Sequence, residues 1–357
     1  MARTLKLHES PLYRLTSKKK LAALFGVKVA DIKFLRQLDS NYRVWPLKQK
    51  HQDVLAGMPV SDKVRMVQQP KPTLDAFQRR LAKLLGALEK PDYVYSATKR
   101  RSYLDNALVH RHSQPALKVD IRSFYPSVKR KAVKSFFVEQ MKCAEDVAHV
   151  LSELCCHEGK LPTGSALSPV LSYFSCAPMF ARIAALAGAR GLKFTIYVDD
   201  MVFSGAGLDD DFLALVFNEL NREGYAGHKV RFYKAKRPKV ITGAVVWPSK
   251  VDVPHKRRLK MRLYERALKT AKSEDKVILG KALLGQYRES SRINPGFKVA
   301  ASRLQRFVED MTGRAKVAKP RKRPRGRSSY SLFLSRIARL RAEAAAAGAA
   351  VGSGAGA

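Results

Sequence analysis

Lys193-Phe-Thr-Ile-Tyr-Val-Asp-Asp-Met-Val-Phe-Ser204 is the stretch whose reading decides the fold of this chain. Strand-like runs at 194–198 and 201–203 flank two adjacent carboxylates, Asp199 and Asp200, and read as a hairpin with the acids at its tip. Neighbouring acids in an apolar setting repel each other and lose hydration, so they need a counter-charge. A divalent cation supplies one. Ligands that are all oxygen favour Mg²⁺ or Mn²⁺ over a softer metal.

A second acid of this kind lies upstream. Leu117-Lys-Val-Asp-Ile-Arg-Ser-Phe-Tyr-Pro126 reads as a strand running into a turn, with Asp120 alone among apolar residues. If the two strands are neighbours, Asp120, Asp199 and Asp200 converge as a cage for two divalent ions. Such ions activate a hydroxyl and hold a triphosphate, so the protein need add little beyond positioning and positive charge.

Positive charge is abundant. The 357 residues carry 68 Lys plus Arg against 30 Asp plus Glu, a net +38, which points to a polyanionic partner. The length suits two or three packed subdomains. Cys143, Cys155, Cys156 and Cys176 have neither disulfide-framework nor zinc spacing and read as buried, reduced thiols. No signal peptide opens the chain and no uninterrupted apolar run reaches membrane-spanning length, so a soluble, cytoplasmic protein without a membrane partner is expected.

Around these strands the pattern is mostly helical. A capped helix is expected over 17–26, with Leu21, Leu24 and Phe25 inward, and a basic polar segment follows it. Residues 64–70 alternate like a strand, and 78–90 form an amphipathic helix burying Leu81, Leu84, Leu85 and Leu88. Asn106 and His110 fall one turn apart on a short helix. Helices follow at 131–155, from the Pro/Gly/Ser-rich turn at 164 to 180, and at 212–223, with strand-like 230–246 after them. The helix over 254–272 places Leu259, Leu263, Ala267 and Leu268 on one face and Arg257, Arg258 and Arg262 among its basic residues, which suits phosphate contact. A further helix covers 276–289. Residues 315–330 are a Lys/Arg/Pro/Gly/Ser run, and a helix is expected over 332–347.

These residues also carry a family resemblance. Tyr197-Val-Asp-Asp200 resembles the Tyr-x-Asp-Asp signature of reverse transcriptases. Val119-Asp-Ile-Arg-Ser-Phe-Tyr-Pro-Ser127 resembles the family's first palm motif, and Leu161-Pro-Thr-Gly-Ser-Ala-Leu-Ser-Pro169 the motif between them. Within that superfamily Asn106-Ala-Leu-Val-His110 and Ile241-Thr-Gly243 are similar to motifs of bacterial retron enzymes. The resemblance runs from about Tyr13 to about residue 310 and implies an α+β right-hand polymerase. Its parts are an N-terminal region and fingers at 1–115, a palm at 116–250 with inserted fingers helices at 131–160, a helical thumb at 251–314, and a tail at 315–357. The palm's antiparallel sheet carries the aspartates.

The resemblance further implies roles. Asp120 and Asp199 are the principal ligands of two Mg²⁺ ions (or Mn²⁺), with the Ile121 carbonyl helping and Asp200 supporting. Tyr125 falls at the family's steric gate against ribonucleotides, and Arg65 at its triphosphate-binding arginine. Lys229 matches a lysine that protonates departing pyrophosphate. Thr163 and Gly164 flank the incoming sugar, although Thr163 replaces the usual glutamine and Ser123 a frequent second acid. Asn106, His110, Ile241, Thr242, Gly243, Arg257, Arg258 and Arg262 are expected at RNA. The implied partners are deoxynucleoside triphosphates, a cognate structured non-coding RNA and its branched RNA–DNA product (msDNA), primed from a guanosine 2′-hydroxyl. A separate effector protein in anti-phage defence is implied as well. The competing readings are another bacterial reverse transcriptase, of defence-associated or group II intron type, and a silent RNA-binding scaffold.

Overall fold

The computed structural model describes residues 4–37, 41–60, 64–313, 335, 337–340 and 342–343. The first elements are α1 (Lys18–Leu24), α2 (Val29–Gln37), β1 (Tyr42–Pro46), α3 (His51–Leu55), β2 (Met66–Pro70), α4 (Pro72–Leu85) and α5 (Tyr103–Val109). Ser17 caps α1 by accepting from the Lys20 N–H, as its type predicts. α4 starts six residues before the expected 78, because Pro72 sits in its first turn, where a missing N–H costs nothing. β1 falls in the stretch read only as basic and polar, and pairs antiparallel with β2.

The central sheet joins β3 (Ala116–Ile121), β4 (Lys193–Tyr197), β5 (Asp200–Ser204) and β6 (Gly227–Tyr233) in the order β4-β5-β3-β6, every pair antiparallel. Between β3 and β4 lie α6 (Phe124–Ser127), α7 (Arg130–Ser135), α8 (Glu145–Cys155) and α9 (Ser168–Ala189). The helix expected over 131–155 is therefore broken at 141–144, after a π-turn at Phe136–Gln140. α10 (Asp210–Arg222) covers one face of the sheet through Phe212, Val216 and Leu220. One large apolar cluster spans these elements.

Contrary to the sequence reading, α9 is long and apolar enough to cross a membrane by length and composition, with a mean hydropathy of 1.5 in its most apolar window. Over half of that window (56%) is buried within the protein, and Leu171, Phe174, Met179, Phe180 and Ile183 lie in the core. It is a core helix here. All four cysteines are free and buried, and burial pushes their thiols up, Cys143 to about 11 and Cys156 and Cys176 to about 12.

After β6 come β7 (Lys239–Ile241), β8 (Ala244–Val246), β9 (Val251–Asp252), α11 (His255–Thr270), α12 (Ser273–Ile293) and α13 (Phe297–Met311). They build a second apolar cluster, to which α3 contributes Leu55 and Ala56. The inward line of α11 is Met261 and Tyr264; Leu259, expected inside, is 44% exposed. The other three residues of the expected face, Leu263, Ala267 and Leu268, pack partly buried against the second cluster beside that line. Residues 315–330 lie outside the described residues. Of the expected 332–347 helix, the described part is helical, and Ile337 is buried in the first cluster.

Candidate active site

The central sheet brings the three aspartates together. Asp120, near the end of β3, is the cross-strand partner of Asp200, the first residue of β5. Asp199 occupies the two-residue turn between Tyr197 and Asp200, and its carbonyl accepts from the Ile121 N–H at 3.0 Å. Val198, the other turn residue, has φ of 61°, a left-handed conformation unfavourable for a β-branched side chain by roughly 1–3 kcal/mol. Ser123 (φ 48°) and Lys229 (φ 53°) adopt the same region nearby. A β-bulge in the β3–β6 pairing falls between Lys118 and Asp120, which re-aims the acid relative to its strand.

Three carboxylates this close disfavour ionisation. Burial, then the charges of Asp120 and Asp200, raise the Asp199 carboxyl to about 6. Asp200 is also raised, by burial first, although the Lys118 ammonium at 2.8 Å opposes the shift. Asp120 is met by His228 Nδ1 at 3.1 Å and Lys229 Nζ at 3.4 Å. Lys118 and Lys229 thus place positive charge beside Asp200 and Asp120. Among the described residues no three His, Cys, Asp or Glu side chains are gathered closely enough to hold an ion as they stand. The donor chemistry nonetheless fits a hard divalent cation: oxygen ligands only, with Asp200 Oδ1 buried and lacking any hydrogen-bond partner.

Lys118 and His228 were missed in the sequence. Lys118 was readable, since it shares the Asp120 face at a spacing of two. His228 was not, because only the β3–β6 register sets it opposite Asp120.

Tyr125, on α6, sits close enough to Asp199 for that charge, after burial, to push its phenol up. On the other side β2 docks onto the 161–169 turn. Thr163 Oγ1 donates to the Met66 carbonyl at 2.9 Å, and the Gly164 N–H donates to the Gln68 carbonyl at 3.1 Å. A Cβ at Gly164 would lie 2.7 Å from that oxygen, so the approach requires glycine. Arg65 precedes β2 directly and is exposed. Buried Gln78 ties the arrangement together, donating to Tyr42 Oη and the Leu154 carbonyl, both at 2.8 Å, while Ser165 donates to its Oε1. Nothing in the sequence around Gln78 flagged that role.

The residues expected at RNA divide. Asn106, His110 and Ile241 are wholly buried and present no side chain to a ligand. His110 bridges Ser204 (Nδ1, 2.7 Å) and Thr195 (Nε2, 2.8 Å), tying α5 to the hairpin that carries Asp199 and Asp200. Asn106 Nδ2 reaches Thr242 Oγ1 at 3.4 Å, and Thr242 donates to the Tyr103 carbonyl at 2.7 Å. Thr242 and Gly243 form a turn with positive φ before β8, and a Cβ at Gly243 would contact Arg257 Nη2 at 3.5 Å. Arg258 is engaged within the chain, pairing with Asp252 at 2.6 Å and lying over Phe297. The wholly buried Asn106, His110 and Ile241 side chains are engaged in internal packing, whereas the Arg258 side chain keeps 38% exposure beside Asp252. Arg262 is exposed on the outer face of α11.

No protein-family model matches the chain. Among curated proteins it is similar to the retron Ec86 reverse transcriptase of Escherichia coli, 27% identical over 232 residues, 63% of this chain. It is also similar to the retron Se72 reverse transcriptase of Salmonella heidelberg (30% over 147 residues, 40% of this chain) and the retron Mx162 reverse transcriptase of Myxococcus xanthus (26% over 281 residues, 68% of this chain). The alignments span 69% of the first relative but only 38% and 56% of the other two. A solved foamy viral protease-reverse transcriptase aligns with 94% of the chain and 49% of its own at 14% identity, with a TM-score of 0.42, too low to carry an argument. The sequence likeness is to reverse transcriptases. Each of these three curated relatives is a retron enzyme.

Proposed function

We propose that this chain is a retron polymerase that copies a cognate structured non-coding RNA into branched, RNA-linked DNA, with right-hand fingers, palm and thumb. The observation carrying the proposal is the pairing of Asp120 with Asp200 across β3 and β5, with Asp199 at the adjoining turn. Two divalent ions bound there, Mg²⁺ or Mn²⁺, supply activation of the attacking hydroxyl and charge for the triphosphate. Asp120 and Asp199 hold them, helped by the Ile121 carbonyl, and Asp200 supports them from its contact with Lys118.

The remaining residues position and exclude. Tyr125 closes the space beneath the sugar of a deoxynucleoside triphosphate against a 2′-hydroxyl. Arg65, held at the start of β2, meets the triphosphate, and Thr163 and Gly164 fix that strand. Lys229 Nζ, now beside Asp120, is the proton source for departing pyrophosphate. The exposed basic line of α11, with Arg262, follows the duplex as a thumb helix, since A-form structure is read by shape and phosphate. The Asn106–His110 and Ile241–Gly243 segments select the cognate RNA by placing the start of α11, with Arg257 beside Gly243, rather than by direct contact. Priming from a guanosine 2′-hydroxyl and a partner effector in anti-phage defence belong to the same reading.

The test is to purify the protein from its native cells and sequence the bound nucleic acid before and after ribonuclease and debranching treatment. DNA joined 2′–5′ to RNA is the expected result. Linear cDNA would indicate another kind of reverse transcriptase, and RNA alone a scaffold.

A further inference from the structure

Outside the aspartate site, the loop after β3 and the turn before α9 come together at an antiparallel bridge between Lys129 and Lys160. The Arg130 N–H donates to the Gly159 carbonyl at 2.7 Å, and the Leu161 N–H to the Val128 carbonyl at 3.1 Å, so the two rims are fixed to each other. Between them and α8 opens a groove of about 430 Å³ whose lining includes Lys129, Arg130, Lys131, Lys134 and Lys160, with buried Ser152 beneath. Only part of this charge is met internally. Lys134 pairs with Glu145, and Arg130 reaches Glu153 at 3.9 Å, a carboxylate already shared with Arg36 and His149. Among the described residues Lys129, Lys131 and Lys160 have no ion-pair partner.

We propose that this groove binds the phosphodiester backbone of the RNA outside the catalytic cleft, a second contact on the template. The inference rests on the polymerase reading for the identity of the strand. Its position supports it: Lys129 lies four residues after Tyr125, and Lys160 three before Thr163, so both rims adjoin candidate-site residues along the chain. Its lining supports it too. Apart from His149, Ser152 and Gly159 every lining residue is Lys or Arg, with no Leu, Ile, Val, Phe, Tyr or Trp among them, and clustered cations of this density suit a run of phosphates.

The test uses the full chain with Lys131 and Lys160 both changed to Ala, two exposed residues with no assigned part in the site. Affinity for a long unstructured RNA is measured against salt concentration, and DNA synthesis on a short RNA–DNA primer–template with minimal overhang. Loss of two contacts to a single strand lowers the magnitude of the salt slope by about 1.4, with synthesis on the short substrate unchanged. An unchanged slope overturns the proposal. So does an equal loss of synthesis on the short substrate, which would put both lysines in the cleft. A loss confined to binding of polyglutamate, used as an acidic-protein probe, overturns it as well. Binding needs no catalysis: a wild-type protein that makes no DNA but shows the slope difference would sink the polymerase reading and leave the groove standing.

Discussion

Acidification should weaken the fold through one buried side chain. His110 is enclosed between α5 and the β4–β5 hairpin, and its ring nitrogens are taken up by the Ser204 and Thr195 hydroxyls. Burial, reinforced to a lesser degree by the charges of Lys239 and His112, holds its imidazole down at about 3 from an ordinary 6.5. A depressed histidine stays neutral in the fold, whereas the unfolded chain takes up a proton below pH 6.5. The stability concerned is therefore present above pH 6.5 and is lost as pH falls toward 3. Between about pH 7.5 and 5.5 the loss is about 1.4 kcal/mol, one pH unit below the unfolded value. Other groups titrate in the same range, so the assay is a comparison. Urea unfolding of wild type and His110→Gln at both pH values should show wild type losing about 1.4 kcal/mol more. Imidazole NMR gives the same test without a substitution, with no His110 titration above about pH 5. Equal pH dependence in the two proteins, or a His110 resonance that titrates near 6.5, would refute the account of this residue as a neutral clip on the aspartate hairpin.

Other substitutions separate the remaining roles. Gly164→Ala forces a methyl against the Gln68 backbone and should cost about 1–3 kcal/mol in thermal or urea stability, while raising the KM for deoxynucleotides; wild-type values for both would remove the close approach from the site. Tyr125→Ala should admit ribonucleotides, and unchanged sugar selectivity in incorporation assays would take Tyr125 out of that position. Arg258→Ala should lower stability with little effect on the salt dependence of duplex binding, because it pairs with Asp252. Arg262→Ala should do the opposite, reducing the salt slope by about 1; the reverse pattern would reassign the two faces of α11.

The chemistry of this chain was easier to read than its burial. Isolated acids within apolar strands are costly wherever they lie, so Asp120 and the Asp199-Asp200 pair announced themselves, and the register of β3 with β5 brings them opposite. Gly164 was legible as part of a turn, but the nearness of Gln68 was not. Taken alone, the Asn106 and His110 pair read as a packing or capping detail, and only the resemblance placed it at RNA; its partners Ser204, Thr195 and Thr242 were not legible because they lie far along the chain. The inner face of α11 was read in part: Leu263, Ala267 and Leu268 pack on the second cluster as expected, but Met261 and Tyr264, its most deeply buried residues, are set by contact with α12 and α3 and not by leucine spacing. α13 was not picked out as a separate helix within the expected helical thumb, although Leu304 and Val308 bury one of its faces.

The central claim is tested most directly by RNA-templated DNA synthesis with Mg²⁺, comparing the purified wild-type chain with Asp120→Asn and Asp199→Asn. Synthesis by wild type, loss of about a thousandfold or more in each variant and RNA affinity kept within a few-fold is the expected result. Undiminished synthesis in either variant would contradict it.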